Sequence, residues 1–296
     1  MIPAGDAAWG REQALGVALV LVATVALSTE AVAAKIAYRG GATVLTVLAL
    51  RYLVAALLFG AGYLYRPVPY RLGRAERPAL LLLAVGGQAA TVLALFAAFR
   101  YTTAAMAILF LYLYPTVVSI LAHFFLREPL DRPKVLALAL SLAGCVVILG
   151  RFEGLNLLGI GLAALAAVLN AVFLVGSARL LARVPVRLFN AALSFILTLF
   201  FLPLAFFTGE LTFALTPQAC AAILFLGVVC TVVSLASLFH GIVHIGASRA
   251  AIIATLEPPL TALWGYWLLG EKLTVLQAAG GILILAGVAL QARART

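Results

Sequence analysis

The sequence predicts an all-α integral membrane protein whose ten transmembrane helices form two inverted five-helix repeats around a central cavity. Three observations lead there: a composition too apolar for water, ten apolar runs of membrane-spanning length, and an internal register that repeats after 143 residues.

Of the 296 residues, 65% are hydrophobic and 10% are charged, and the mean hydropathy is +1.17. Soluble domains carry about 25% charged residues, and a chain of this length has no single core large enough to absorb the excess. Its outer surface is therefore matched to lipid. The formal charge of +10 does not mark a nucleic-acid partner, because Lys and Arg lie in short segments between apolar runs and not on one amphipathic face or tail.

The runs fall at 14–34, 44–65, 78–99, 102–125, 133–150, 157–178, 187–207, 218–239, 247–269 and 274–291. Each approaches the ~20 residues that cross a ~30 Å hydrocarbon core as a helix. They are continuously apolar, whereas the strands of a membrane barrel alternate. Only Arg100 and Tyr101 separate the third run from the fourth. Met1 to Gln13 lacks a basic stretch leading to a short apolar run with a small-residue cleavage site, so the first run reads as a retained span.

Orientation follows from the basic residues. With the N-terminus in the cytoplasm, fourteen of them fall on that side: Arg11, Arg66, Arg71, Arg74, Arg77, Arg127, Arg132, Lys134, Arg179, Arg183, Arg187, Arg249, Arg293 and Arg295. The other side holds five, Lys35, Arg39, Arg100, Arg151 and Lys272. The positive-inside bias thus predicts a multi-pass protein of the cell (inner) membrane with both termini cytoplasmic.

Shifting the chain by 143 residues aligns Leu15-Gly16 with Leu158-Gly159, Pro115 with Pro258, and Ala143-Gly144 with Ala286-Gly287. Leu126, Glu128 and Leu130 fall on Leu269, Glu271 and Leu273. Biased composition explains the Leu and Ala matches but not those of Pro and Glu, so the chain reads as a duplication, 1–150 and 151–296. Five spans is an odd number, so the second copy enters the membrane from the opposite face. Inverted repeats of this kind support alternating access around a site near the midplane.

The fourth and ninth spans end in Leu126-Arg127-Glu128-Pro129-Leu130 and Leu269-Gly270-Glu271-Lys272-Leu273, and the ninth contains Glu257-Pro258. With ten spans in two halves, the chain resembles the EamA family of the drug/metabolite transporter superfamily, over nearly its whole length. Within that family it looks most like the aromatic amino-acid exporters of the YddG type. The resemblance implies export of small metabolites from the cytoplasm, often amino acids. The tryptophans are Trp9, Trp264 and Trp267, so an aromatic pocket would rest mainly on Tyr and Phe.

Ionisable groups at membrane depth mark pathways or ion pairs. Glu30 is a candidate for a substrate ammonium or a proton, or a wetted carboxylate paired with Lys35. Arg51, about two turns into the second span, suits a substrate carboxylate, an acid such as Glu30, or snorkelling to the interface. Gln88, Thr91 and Asn170 either line a cavity or join helices by hydrogen bonds, and Ser234 and Ser237 are weaker candidates of the same kind. Tyr112 and Tyr114 precede Pro115, as Thr255 and Glu257 precede Pro258 and Pro259. Proline removes a backbone donor and kinks a helix, so these symmetric sites are candidate hinges, with Glu257 lining the pathway.

His240 and His244 are one turn apart, which would suit a metal or a proton, yet no third ligand is evident. Glu128 and Glu271 are expected to cap helices. Gly86-Gly87 and Gly280-Gly281 read as close helix packing and not as phosphate loops. Cys145, Cys220 and Cys230 lie in apolar runs without metal or disulfide spacing and are expected to be buried, inert thiols.

The expected partners are a small-molecule substrate and the lipid bilayer, with proton coupling and facilitated diffusion both open, and no cofactor. A membrane enzyme would need a catalytic motif such as HExxH or GxSxG, which the sequence lacks. A channel would favour rings of charges or carbonyls over paired, inverted prolines.

Overall fold

The computed structural model describes residues 4–98, 101, 107, 110–149, 156–269 and 275–293. Ten spans follow one another, and all of them are helical. Span 1 comprises Ala4–Ser28 and Glu30–Arg39, separated by a turn at Thr29. Span 2 is Val44–Tyr65, and span 3 runs through Glu76–Leu81, Leu82–Ala89 and Ala90–Ala98. The helix Tyr114–Leu126 belongs to span 4, Arg132–Leu149 to span 5, Leu157–Leu181 to span 6 and Val186–Phe207 to span 7. Span 8 runs through Pro217–Gly227, Val228–Val233 and Ser234–Ile245, span 9 through Ala247–Ala254 and Glu257–Leu269, and span 10 is Val275–Arg293. Among the described residues, six helical stretches are long and apolar enough to cross a membrane.

Local chemistry sets the helix starts. The Thr43 hydroxyl accepts the N–H of Thr46, Asn156 accepts those of Leu158 and Gly159, and Thr216 accepts that of Ala219. Two stretches are wound as π-helix, Leu82–Ala89 in span 3 and Val228–Val233 in span 8. Under the 143-residue shift they overlap, so the same distortion recurs in both copies. Such wide turns are frequent at functional sites.

Equivalent helices of the two copies pack antiparallel. In spans 2 and 7, Thr43 and Thr46 donate to the Glu210 carbonyl at 2.7 and 2.6 Å, while Arg187 near the other end donates to the Gly62 carbonyl at 2.8 Å. In spans 5 and 10, a Cβ on Gly144 would lie 2.6 Å from the Gly280 carbonyl oxygen, and one on Gly287 would lie 2.8 Å from that of Ala137. Gly144 and Gly287 are equivalent positions, as are Ala137 and Gly280. The crossing therefore exchanges equivalent residues, which is the two-fold relation an inverted repeat requires.

Small residues permit this approach. Of the two glycine pairs, Gly87 and Gly280 carry the close packing: a Cβ on Gly87 would come 2.9 Å from Phe173. Gly86 and Gly281 do not, since a Cβ there would meet only Leu82 of its own span or Pro259 at 3.5 Å.

The core gathers Phe189, Phe201 and Phe239, all fully buried, with the Phe189 and Phe239 rings edge-to-face at 4.9 Å. The outer surface carries large apolar side chains such as Leu64, Phe124, Leu157, Phe207 and Val275, as a lipid-facing surface should. Cys145 and Cys230 are buried, but Cys220 is exposed. That corrects the expectation of three buried thiols. Where the solvent is itself apolar, an apolar run does not distinguish inside from outside. Arg100, Arg151, Lys272, Arg295 and the second signature around Glu271 lie outside the described residues.

Candidate transport site

The break in span 1 organises the site. The Ser28 and Thr29 hydroxyls turn back onto the carbonyls of Val25 and Ala26 at 2.7 Å each, supplying donors where the helix interrupts. The next residue, Glu30, opens the following helix. Arg51 reaches across from span 2 and grips both oxygens of the Glu30 carboxylate, at 2.6 and 3.1 Å. Paired planar groups of this kind form the stronger class of ion pair. The remaining guanidinium nitrogen, Nε, donates to Thr231 of span 8 at 3.0 Å.

This pair is unequally shielded. The Arg51 side chain is 9% exposed, whereas that of Glu30 is 37% exposed. The carboxylate is thus the open side of the pair. Thr231 in turn donates to the Leu226 carbonyl at 2.9 Å, a five-residue return that fits the widened π turn.

Aromatic rings surround the pair. Arg51 lies 5.5 Å from the Tyr52 ring centroid, and Tyr52 stacks on Phe201 at 5.6 Å. From the π stretch of span 3, Gln88 donates to the Tyr52 hydroxyl at 3.3 Å. Tyr112 and Tyr114 are buried, with ring centroids 6.1 Å apart.

Span 9 closes the far side. Its helix stops at Ala254, turns through Thr255-Leu256 and restarts at Glu257. The Glu257 carboxylate is a hydrogen-bond partner of Tyr112 and lies within electrostatic reach of Glu30. One and two turns further on, Thr261 donates to the Ser28 carbonyl at 3.0 Å and Trp264 Nε1 to the Ser28 hydroxyl at 2.8 Å. Span 4 breaks at the equivalent place, turning at Tyr112-Leu113 before Tyr114-Pro115. Both proline sites therefore stand immediately after helix interruptions, at Pro115 and at Pro258-Pro259.

Glu30, Arg51, Gln88, Tyr112 and Glu257 thus come together. His240 and Asn170 do not join this hydrogen-bonded set. His240 is exposed, its Nδ1 2.7 Å from the Ala236 carbonyl of its own helix, and Asn170 is half-buried within span 6. Among the described residues, no group of three or more His, Cys, Asp and Glu side chains could hold a metal. The sequence reading passed over Thr231, Tyr52, Ser28, Thr261 and Trp264. Thr231 could have been found, because it is the repeat equivalent of Gln88.

A cavity of about 450 Å³ opens beside the first half of span 1, lined by Gln13, Val17, Leu21, Arg249 and Ile253 among others. Glu128 is elsewhere, at the end of span 4, where its two oxygens accept the N–H groups of Ala247 and Ser248 at 2.9 and 3.2 Å. It caps the start of span 9, as the sequence led one to expect, and Lys134 lies 3.7 Å from it.

The profile of the EamA-like transporter family matches residues 14–150 and again residues 157–293. The chain belongs to the EamA-like transporter family. The two matches are offset by the same 143 residues that the internal register shows. This EamA protein is thus a membrane transporter of the drug/metabolite superfamily and not an enzyme.

An uncharacterized transporter of Archaeoglobus fulgidus is 28% identical over 249 residues, covering 81% of this chain and 84% of its own. A second from the same organism is 28% identical over 198 residues, 66% and 70% of the two chains. A protein of known crystal structure superposes on 93% of this chain and 96% of its own, with a TM-score of 0.81. At 22% identity that likeness speaks for the fold alone.

Proposed function

We propose that this EamA transporter exports small metabolites, amino acids including aromatic ones, from the cytoplasm across the cell (inner) membrane by alternating access. Both termini are cytoplasmic in this reading, and the halves 1–150 and 151–296 rock about the polar cluster. The observation that carries it is the Glu30–Arg51 pair, shielded on the arginine side and open on the carboxylate side. A site that holds a carboxylate beside a guanidinium suits a substrate bearing an ammonium and a carboxylate, and the rings of Tyr52, Tyr112, Tyr114 and Phe201 suit an aromatic side chain.

The interruptions before Pro115 and Pro258 supply the bending points, since each leaves backbone carbonyls free to change partners beside a wet space. The cavity lined by Gln13 and Arg249 would be the cytoplasmic approach. Counterflow in liposomes tests the proposal. Purified protein should exchange labelled phenylalanine, tyrosine or leucine saturably, with mutual competition. Folded protein that exchanges none of them would remove amino acids as the substrate class.

A further inference from the structure

A large surplus of positive charge lies outside the transport site. The loop from span 2 to span 3 carries Arg66, Arg71, Arg74 and Arg77, all exposed. The junction of spans 6 and 7 carries Arg179, Arg183 and Arg187, exposed as well. The fold brings the two sets together. Arg187 donates to the Gly62 carbonyl near the end of span 2, and the helix Glu76–Leu81 packs against spans 6 and 7. Arg183 stands within electrostatic reach of Tyr70 and Glu76. Segments 62–82 and 176–188 contain a single carboxylate, that of Glu76. It closes the loop by accepting from the Tyr70 hydroxyl at 2.6 Å and the Gly73 N–H at 2.7 Å. Half of the fourteen basic residues on that side of the protein thus converge with one acid among them.

Neither the fold nor the orientation bias requires this placement. The 143-residue register sets residues 209–220 opposite 66–77, and they contain no Lys or Arg. Arg179, Arg183 and Arg187 correspond to Ile36, Gly40 and Val44. The other copy therefore builds its corresponding connections without these arginines. An orientation bias needs basic residues anywhere on one side, not two sets from opposite copies joined on one wall. Around Glu128 the charge is balanced instead, since Lys134 and Arg249 share a hollow with Glu128 and Asp131. Beside the arginines, Leu64, Tyr65, Leu81 and Leu82 are exposed, and Arg66 lies 5.9 Å from the Tyr65 ring centroid. Guanidinium groups match phosphate through paired planar donors, and exposed apolar side chains next to them match acyl chains.

We propose that this wall binds an anionic phospholipid of the adjoining leaflet, with the arginines on its headgroup and phosphate and Leu64, Tyr65, Leu81 and Leu82 against its acyl chains. A basic cluster of this size beside membrane spans is of the kind that holds acidic lipids. Because the arginines come from both copies, the bound lipid spans the seam between spans 2 and 3 of the first and spans 6 and 7 of the second. The inference is independent of what the protein transports, so its failure leaves the export reading untouched.

Full-length protein in non-ionic detergent micelles, where membrane orientation plays no part, is titrated with phosphatidylglycerol and phosphatidylcholine carrying the same fluorescent acyl chain. Anisotropy reports binding. Phosphatidylglycerol should bind about tenfold or more tightly than phosphatidylcholine, and the preference should shrink as salt rises. At about fivefold per arginine near an anionic surface, the combined variant Arg71→Gln, Arg74→Gln, Arg183→Gln erases a preference of that size and should bind both lipids within about twofold of each other. Arg74→Gln alone should cost about fivefold and serves if the combined variant does not fold. A second combination, Arg11→Gln, Arg127→Gln, Arg132→Gln, removes the same charge from the same side and should keep the wild-type preference. Equal binding of the two lipids by wild type overturns the inference. An equal loss in both combinations overturns it too, because overall charge and not this wall would then attract the lipid. Displacement of labelled phosphatidylglycerol by an equal concentration of glycerol phosphate would show a free-anion site and overturn the assignment to lipid.

Discussion

Gln88 and Thr231 occupy equivalent positions of the two copies, each inside a π-helical stretch, and each holds a neighbouring residue of span 2. Gln88 donates to the Tyr52 hydroxyl, and Thr231 accepts from Arg51 Nε. One turn later the symmetry persists: Thr91 donates to the Gly87 carbonyl at 2.8 Å and Ser234 to that of Cys230 at 2.6 Å. The scaffold is thus two-fold while the charges are not, since the equivalents of Glu30 and Arg51 are Phe173 and Ser194.

The first prediction concerns that one-sided pair. Arg51→Met leaves Glu30 without its counter-ion and should abolish transport. Its stability cost should be about 2 kcal/mol, below the 3–5 typical of fully buried pairs because Glu30 is partly open. Thermal unfolding in detergent measures the loss. The double variant Glu30→Gln, Arg51→Met should recover most of the stability and none of the transport. Recovery of transport would remove the pair from the mechanism.

How much of this was legible beforehand varies with the physics. The ten spans and the duplication were readable, because the length of an apolar run and a recurring Pro and Glu survive in one sequence. Arg51 and Glu30 were legible as candidates, since charge at membrane depth is rare. Their pairing was among the alternatives open for Arg51, and the structure selects it; the sequence left the choice open because it depends on how spans 1 and 2 are rotated and apolar residues surround both. The exposure of Cys220 was missed for the same reason. Thr231 was missed because hydroxyls are ordinary where helices pack, although the 143-residue register pointed to it.

Close packing of spans 5 and 10 gives a second prediction. Gly144→Ala places a Cβ 2.6 Å from both the Gly280 carbonyl oxygen and the Ile284 side chain, and backbone cannot yield cheaply. The variant should lose about 1–3 kcal/mol. Gly60→Ala, where nothing lies within 4 Å, should be neutral or slightly stabilising. Equal unfolding temperatures for the two variants would contradict the crossing.

A third prediction separates Glu128 from the transport site. Its carboxylate caps span 9, whose preceding Gly246 has φ +81°. Glu128→Ala should cost about 1–2 kcal/mol through the lost cap and lower folded yield. The protein that does fold should retain its substrate affinity. A selective loss of affinity at normal yield would make Glu128 a binding residue.

The helix interruptions before Pro115 and Pro258 give the fourth. Replacing Pro258 by Ala restores a backbone donor and removes the ring's clash with the preceding turn, favouring a continuous helix across Thr255-Leu256. In the alternating-access reading, that stiffening slows the exchange of conformations without removing any group that touches substrate. Pro258→Ala should therefore reduce initial transport rates several-fold and leave equilibrium binding of the same substrate within about twofold. Pro115→Ala should act in the same sense, because the repeat places the same break on the other half. An effect on affinity with unchanged rate would make these breaks fixed parts of the binding site.

Orientation supplies the last prediction, and it bears on the direction of transport. Phe213 is 74% exposed between spans 7 and 8, and Arg71 is exposed between spans 2 and 3. The excess of Lys and Arg on the side of Arg71 predicts that this side is cytoplasmic. In a Cys220→Ser background, Phe213→Cys should react with a membrane-impermeant maleimide added outside intact cells. Arg71→Cys should react only after permeabilisation, and the buried Cys145 and Cys230 should stay unlabelled in both. The reverse pattern would turn the cavity beside Gln13 and Arg249 into an outer vestibule. The same fold would then have to be read as an importer.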